Sequence, residues 1–355
     1  MVDIDFFHGG NIYEIKRRYK KDVIDFSANI NPLGLTEDIK REFIRCYRLI
    51  PHYPDPEAKD LIRQIAEYWA IDEQNILIGN GSTELIYLIA HAFKPEKALI
   101  PVPTFSEYER AVRSVGSKIE FLKLREMDSF TLKIINSDKA YISFISNPNN
   151  PTGNLLIENK KFVLNSKLNV IDEAFMDFLP DEQKHTFIWK AVKDKNFIVL
   201  RSFTKFFALP GLRIGYLIAH KDLIKRLKQV QPPWSVNSIA QHLAQILLND
   251  RDYIEKTRRL INEERGFLFN ELARIKGLKP YLSVANFFLV KIIDSRLDSS
   301  ILIGRLIQKG ILIRDCSNFR NLNNRFIRIA VRFRRENTKL IKALREELNY
   351  LSSTR

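Results

Sequence analysis

From residue 61 to residue 218, short apolar runs alternate with longer segments of helical period, and this alternation constrains the fold more than any other feature of the chain. A strand can pair in parallel with the next only after a crossover of a dozen or more residues, which is usually a helix laid on the sheet. Repeated units of this kind predict an α/β fold with a mainly parallel sheet. Candidate strands cover residues 76–78, 97–100, 140–145, 169–171, 197–200 and 215–219, each followed by a turn or polar cluster. After Pro232 and Pro233 the pattern changes to a helix-rich stretch from 237 to about 276, long enough to connect two lobes. A smaller α+β segment follows, with strands expected near 286–291, 310–314 and 326–331. Residues 1–35 hold HGGN and NINPLG with little helical periodicity, and read as an ordered arm that covers part of a site. The expected division is that arm, a large domain over 36–236, and a connector helix with a small domain over 237–355.

Hydrophobic residues make up 45% of the 355 and charged residues 28%, so the chain has ample material for a core and is not of disordered composition. No apolar run approaches a bilayer span, and the start MVDIDFFHGG lacks the basic-then-apolar order of a signal peptide, so the expected compartment is the cytoplasm. Cys46 and Cys316 are the two cysteines, in no metal-like or disulfide spacing, and no metal is expected. The formal charge of +15 is carried in mixed-sign segments such as KRRYKKD and RRENTKLIKALREE. Those are solvated helix faces without aromatic interleaving, so neither nucleic acid nor membrane is an expected partner, although local cations suit a doubly anionic small molecule.

Four segments carry chemistry. SFTKFFALPGLRIGY (202–216) places Ser202, Lys205 and Arg213 at spacings of three and eight around a loop after a strand. Most lysines are solvated surface charges, but a lysine in a loop with a hydroxyl and a guanidinium for a phosphate suits an aldehyde cofactor that carries phosphate. GNGSTE (79–84) puts the N–H groups of Gly81, Ser82 and Thr83 at a helix N-terminus, an anion site or simply a capped turn. SNPNNPTG (146–153) forms a rigid loop at a strand's carboxyl end, where ligands of open α/β sheets bind. VIDEAFMDF (170–178) leaves Asp172 at the end of another strand, either as a helix cap or as the partner of a protonated ring nitrogen.

In order, GST, PTF, NNPTG, DEAF, SxxK and GLR resemble the fold-type I pyridoxal 5′-phosphate (PLP) enzymes of the aspartate aminotransferase superfamily, over nearly the whole chain. The resemblance implies PLP as cofactor, a large domain with a mainly parallel seven-stranded sheet, a smaller α+β domain, and a homodimer with shared active sites. Position by position it implies Lys205 as the Schiff-base lysine, Asp172 at the pyridine nitrogen, Asn150 at the ring oxygen and Phe105 stacked on the ring. Gly81, Ser82, Thr83, Ser202 and Arg213 match the phosphate cup, and Tyr53 in HYPDP matches a tyrosine that reaches the phosphate from the other subunit. Phe175 stands beside the ring where the family usually has tyrosine, so Asn150 acts on the ring oxygen without a hydroxyl partner. Only 18 residues lie between Gly153 and Asp172, which implies a clipped crossover helix.

Two branches of the superfamily handle phosphorylated amino compounds, the histidinol-phosphate aminotransferases and the threonine-phosphate decarboxylases of cobalamin synthesis. HGGN (8–11), DFSANINPLG (25–34), PWSVN (233–237), ILIRDCSNF (311–319) and RFIRIAVR (325–332) resemble the decarboxylase branch. That resemblance implies Arg328 on the substrate α-carboxylate and Arg314 on its phosphate, Asn31 and Asn150 in substrate contact, and His8 with Gly9 closing over it. The reaction it implies is decarboxylation of O-phospho-L-threonine to (R)-1-amino-2-propanol O-2-phosphate, with transamination of histidinol phosphate as the alternative. An idle regulator of this fold would lack Lys205, Asp172 or Arg328, and all three are present.

Overall fold

The computed structural model describes residues 8–132, 140–158 and 166–350. Seven strands form the main sheet: β1 (Ile76–Gly79), β2 (Lys97–Val102), β3 (Lys118–Lys123), β4 (Ala140–Ser146), β5 (Ser166–Asp172), β6 (Phe197–Ser202) and β7 (Gly215–Ala219). Their order is β1-β7-β6-β5-β4-β2-β3, with all neighbours parallel except β7, which runs antiparallel to both β1 and β6. This is the α/β arrangement that the alternating pattern predicted. The carboxyl ends of β1, β2, β4, β5 and β6 therefore lie along one edge, where α/β sheets hold their ligands.

Strand period 2 divides the interior into two cores. Ile198 and Leu200 of β6 pack with Leu85, Ile89, Phe144 and Leu217 on one face. Val199 between them joins Ile78, Ile145, Ile171 and Ile218 on the other, in a core continuous with Leu289, Ile327 and Leu340 of the C-terminal third. The edge strand β3 was not anticipated. Its KIEFLK alternates charge with apolar side chains and stays largely uncovered, so it lacks the apolar run that marks the inner strands.

The stretch 237–276 holds two helices rather than one connector, Ser238–Asn249 and Arg251–Ala273. Asp250 leaves helical geometry at φ −80° and ψ 82°, and its carboxylate caps the second helix by accepting from Tyr253 N at 2.9 Å. Beyond it, Phe287–Ile292 pairs antiparallel with Leu278–Pro280 on one side and with Phe326–Ala330 on the other, and Arg314–Asp315 continues the sheet. The expected strand 310–314 is split, because Ile311–Leu312 pairs in parallel with Ile24–Asp25 instead. That pairing stitches the N-terminal arm to the C-terminal third.

The arm also contains a helix, Ile12–Tyr19, that its loop-like sequence hid. Asn11 accepts from Glu14 N at 3.3 Å, and Ile15, the helix's buried residue, packs on Ile307 and Leu312. The proposed clipped crossover between Gly153 and Asp172 runs through residues 159–165, which lie outside the described residues. Cys46 and Cys316 are buried and free. Among the described residues no helix is long and apolar enough to cross a membrane.

Candidate active site

A cavity of about 450 Å³ opens along the carboxyl edge of the main sheet. The ends of β4, β5 and β6 deliver Ser146, Asp172 and Ser202 to it, and the loops that follow deliver Asn150, Phe175, Thr204 and Lys205. The first turn of helix Gly81–Phe93 brings Ser82 and Thr83, the segment after β2 brings Phe105, and the C-terminal sheet brings Arg314 and Arg328. His8, Gly9 and Arg213 complete the set of expected residues on its wall.

Lys205 is half-buried at the cavity wall. Withdrawal from water and the nearby charges of Arg328 and Arg213 lower its pKa to about 8, against an opposing pull from Asp172. An ammonium poised to lose its proton near neutral pH is what an amine nucleophile requires.

Asp172 is buried at the end of β5, and burial pushes its carboxyl upward while hydrogen bonds pull it back. Its Oδ2 accepts from Tyr108 OH at 2.7 Å and its Oδ1 from Ala174 N at 3.0 Å. Tyr108 is fully buried, stacked on Phe144 and edge-on to Phe105. Sequence reasoning passed over it. Its signal was a tyrosine three residues after Phe105, on the same strand-to-helix turn.

Gly81 does not line the cavity but backs it. Its φ is +74°, and a Cβ there would lie 2.7 Å from Arg213 Nη2, so glycine both permits the turn and lets the guanidinium approach the helix N-terminus. Ser202 Oγ and Thr204 Oγ1 lie 2.7 Å apart beside it. Thr204 was not singled out from the sequence, although it stands between Ser202 and Lys205. Backbone N–H groups at a helix start, two hydroxyls and a guanidinium compose a phosphate cradle.

Arg314 and Arg328 occupy directly paired positions on neighbouring strands, and both are buried. Like charges opposed in this way destabilise a sheet unless an anion lies between them. Arg328 donates to Asn150 Oδ1 and, at 2.7 Å, to the backbone oxygen of Ser27, while its Nε has no partner among the described residues. Asn150 therefore offers its amide N–H₂ group to the cavity. Arg314 donates to Asn318 at 2.8 Å, with the ring of Phe319 5.3 Å from its guanidinium carbon. Lys205, Arg213, Arg314 and Arg328 outnumber the carboxylates Glu107 and Asp172 on the lining, which suits an anionic ligand. Asn29 also lines the cavity, with a buried Oδ1 that has no partner among the described residues.

Two further expected residues lie off the lining. Asn31 is a loop anchor: the two N–H groups of its Nδ2 are shared among Phe206 O, Tyr253 OH and Thr257 Oγ1, all within hydrogen-bond distance, its Oδ1 accepts from Leu33 N, and its backbone N–H reaches Lys205 O at 3.0 Å. A side chain so fully engaged has nothing left for substrate. Tyr53 is 82% exposed and packs at a tilt against Trp234, off the lining of the cavity of its own chain. Phe175 is buried edge-on to Phe287, so the position of the family's tyrosine offers no hydroxyl.

The mixed seven-stranded sheet, a lysine and an aspartate at its carboxyl edge, and a phosphate cradle between them define a class, and the family profile for class I and II aminotransferases matches residues 21–344. The chain belongs to that family. It is 43% identical over 348 residues to a Caldanaerobacter subterraneus subsp. tengcongensis protein provisionally named a threonine-phosphate decarboxylase, covering 95% of this chain and 93% of that one. It is 37% identical over 358 residues to the threonine-phosphate decarboxylase of Salmonella typhimurium, with 96% of each chain covered. The crystal structure of histidinol-phosphate aminotransferase from Clostridium acetobutylicum superposes with a TM-score of 0.83 at 31% identity, over 92% of this chain and 99% of that one.

The donor set fits the cofactor that this family implies. PLP carries one phosphate, one carbonyl and one basic ring nitrogen, and the cavity presents a cradle for the first, a low-pKa amine for the second and a held carboxylate for the third.

Proposed function

We propose that this protein holds PLP on Lys205 and decarboxylates O-phospho-L-threonine to (R)-1-amino-2-propanol O-2-phosphate, in the cytoplasm, for the aminopropanol arm of cobalamin synthesis. The observation that carries this reading is the opposed pair Arg314 and Arg328, both buried on the wall of the cavity that holds Lys205. Two guanidiniums fixed side by side suit a small substrate with two anionic groups, and phosphothreonine has a carboxylate at one end and a phosphate at the other.

Ser82, Thr83, Ser202, Thr204 and Arg213 hold the cofactor phosphate, with Gly81 leaving room for Arg213. Phe105 covers the ring, and Asn150 donates to the ring oxygen. When bound, PLP supplies an electrophilic carbonyl for the substrate amine and a protonated ring that accepts the electron pair released at Cα. Asp172, whose ionised form is favoured by the hydrogen bonds from Tyr108 and Ala174 N, holds that ring proton. Arg328 binds the α-carboxylate and Arg314 the phosphate, and in this reading the two hold the bond between Cα and the carboxylate for cleavage. Lys205 Nζ then delivers a proton to Cα, and CO₂ leaves as the other product. His8 and Gly9 close the arm over the substrate, while Phe175 and Phe319 keep water from its apolar side.

The same cavity would serve an aminotransferase acting on histidinol phosphate, which has no carboxylate, if Cα–H were the bond held for cleavage. The similarity to a solved enzyme of that name keeps this second reading in view. Purified PLP-loaded protein incubated with O-phospho-L-threonine is expected to release CO₂ and the phosphorylated amine. No CO₂, together with turnover of histidinol phosphate that depends on 2-oxoglutarate, overturns the decarboxylase reading.

The active unit in this account is a homodimer whose Tyr53 reaches the partner's phosphate cradle. Its exposure, beside the exposed apolar side chains of Phe43, Ile44, Tyr47 and Ile50, supports that role. The boundaries near 35 and 236 divide arm, PLP domain and small domain. Sedimentation of the protein as a monomer that retains full activity would contradict the shared site.

A further inference from the structure

Glu107 opens the helix Glu107–Ser114, is 4% exposed and lines the cavity. A carboxylate is costly to bury, and this one shares its cavity with Lys205, Arg213, Arg314 and Arg328. Its neighbours settle the matter. His8 Nε2 lies 2.9 Å from Oε1, Arg110 donates to the same oxygen at 3.1 Å, and Tyr87 OH donates to Oε2 at 3.1 Å. Burial pushes the Glu107 carboxyl upward, but His8 and Arg110 together hold it below the usual carboxylate value.

The other end of the contact is the N-terminal arm. A Cβ on Gly9 would stand 2.1 Å from the backbone oxygen of Ser27, so only glycine lets the arm lie this close. Gly10 N donates to Ser27 Oγ at 2.7 Å, and the same Ser27 braces Arg328 through its backbone oxygen at 2.7 Å. The arm thus starts from the Arg328 wall, and His8 spans to the opposite wall, its ring 5.5 Å from that of Phe105. The contact with Glu107 joins residues 99 apart in sequence across the cavity.

We infer that Glu107 is a positioning residue for a phosphorylated substrate: it latches His8 across the cavity mouth and so holds the arm and its imidazole against the substrate phosphate. This deepens the decarboxylase reading and rests on it. Glu107 takes the Nε2 edge of the His8 ring, which leaves the Nδ1 edge to meet a phosphate oxygen. A phosphate dianion therefore tightens the latch on arrival, and an unphosphorylated amino acid does not. Charge-assisted hydrogen bonds of this kind are strong enough to separate the two substrates in binding rather than in chemistry.

The test uses the full-length PLP-loaded protein and O-phospho-L-threonine. Glu107→Ala is expected to raise KM about tenfold while kcat stays within about twofold and PLP affinity is unchanged, the size of one charge-assisted contact. His8→Ala is expected to do the same, and the double variant to be no worse than either single one, because both remove one shared interaction. If the alanine variant does not fold, Glu107→Gln, which keeps an acceptor without the charge, is expected to raise KM about threefold. An unchanged KM, a loss confined to kcat, a parallel loss of PLP affinity, or effects that multiply in the double variant would each overturn the inference. Failure of the unaltered protein to release CO₂ from O-phospho-L-threonine instead rejects the decarboxylase reading itself.

Discussion

Tyr108→Phe removes one oxygen from the most buried hydrogen bond of the site and leaves the ring packing against Phe105 and Phe144 in place. Asp172 then keeps one donor, Ala174 N at 3.0 Å, for a carboxylate that burial already pushes toward its neutral form. A hydrogen bond to a charged group is worth about 1.5–3 kcal/mol, and each 1.4 kcal/mol is tenfold in binding. PLP affinity is therefore expected to fall about 10- to 100-fold. The direction with pH follows from the same contact. The hydroxyl favours the ionised carboxylate, so deleting it raises the Asp172 pKa further, and the acid-side decline in PLP affinity begins at a higher pH than in the unaltered enzyme. Titrating both apoproteins with PLP between about pH 5 and pH 8, followed by cofactor absorbance, measures both effects. Equal affinities with the same pH dependence would refute the assignment of Tyr108 as the group that holds Asp172 ionised.

Lys205, with its pKa lowered to about 8, is protonated below that pH, so the rate of cofactor uptake by the apoprotein should rise with pH and level off above it. A rate that is flat through that window in stopped-flow absorbance counts against the low-pKa amine. Arg314→Ala should raise KM for O-phospho-L-threonine on the order of 100-fold, with PLP absorbance unchanged, because a buried anion loses its fork. An unchanged KM would remove Arg314 from the phosphate site. Behind the cavity, Glu173, Asp177 and Glu182 share Arg201, and Arg258 adds to Glu182, leaving one carboxylate in excess. Burial raises Glu173 from 4.5 to about 7, so the folded protein binds that proton more tightly than the unfolded chain. Its contribution to stability is full below pH 4.5 and lost as pH rises through about 7. Urea unfolding at about pH 5 and pH 8 should show a smaller loss for Glu173→Gln than for the unaltered protein, and equal losses would contradict the raised pKa.

The inner strands were legible because burial on both faces demands apolar runs such as FIVL, and the Lys205 loop because Ser202, Lys205 and Arg213 lie close together in the chain. What escaped depends on partners distant in sequence. The edge strand KIEFLK needs no apolar run, and the arm helix is held by Ile307 and Leu312 from the far end of the chain. Asn31 looked like a substrate ligand from its motif, yet Tyr253 and Thr257 consume its amide more than 200 residues away. Tyr108 and Glu107 looked like an ordinary helix start, and only the fold sets one against Asp172 and the other against His8.

In the proposed reaction Lys205 meets a substrate whose carboxylate, not its Cα–H, is held for cleavage. Turnover of O-phospho-L-threonine in D₂O, read by NMR, tests it directly. The expected result is an amine product with the original hydrogen and a single deuteron on the former Cα, and unreacted substrate with none. Substrate that gains deuterium at Cα faster than CO₂ is released, or that forms a 2-oxo acid in place of the amine, would contradict it.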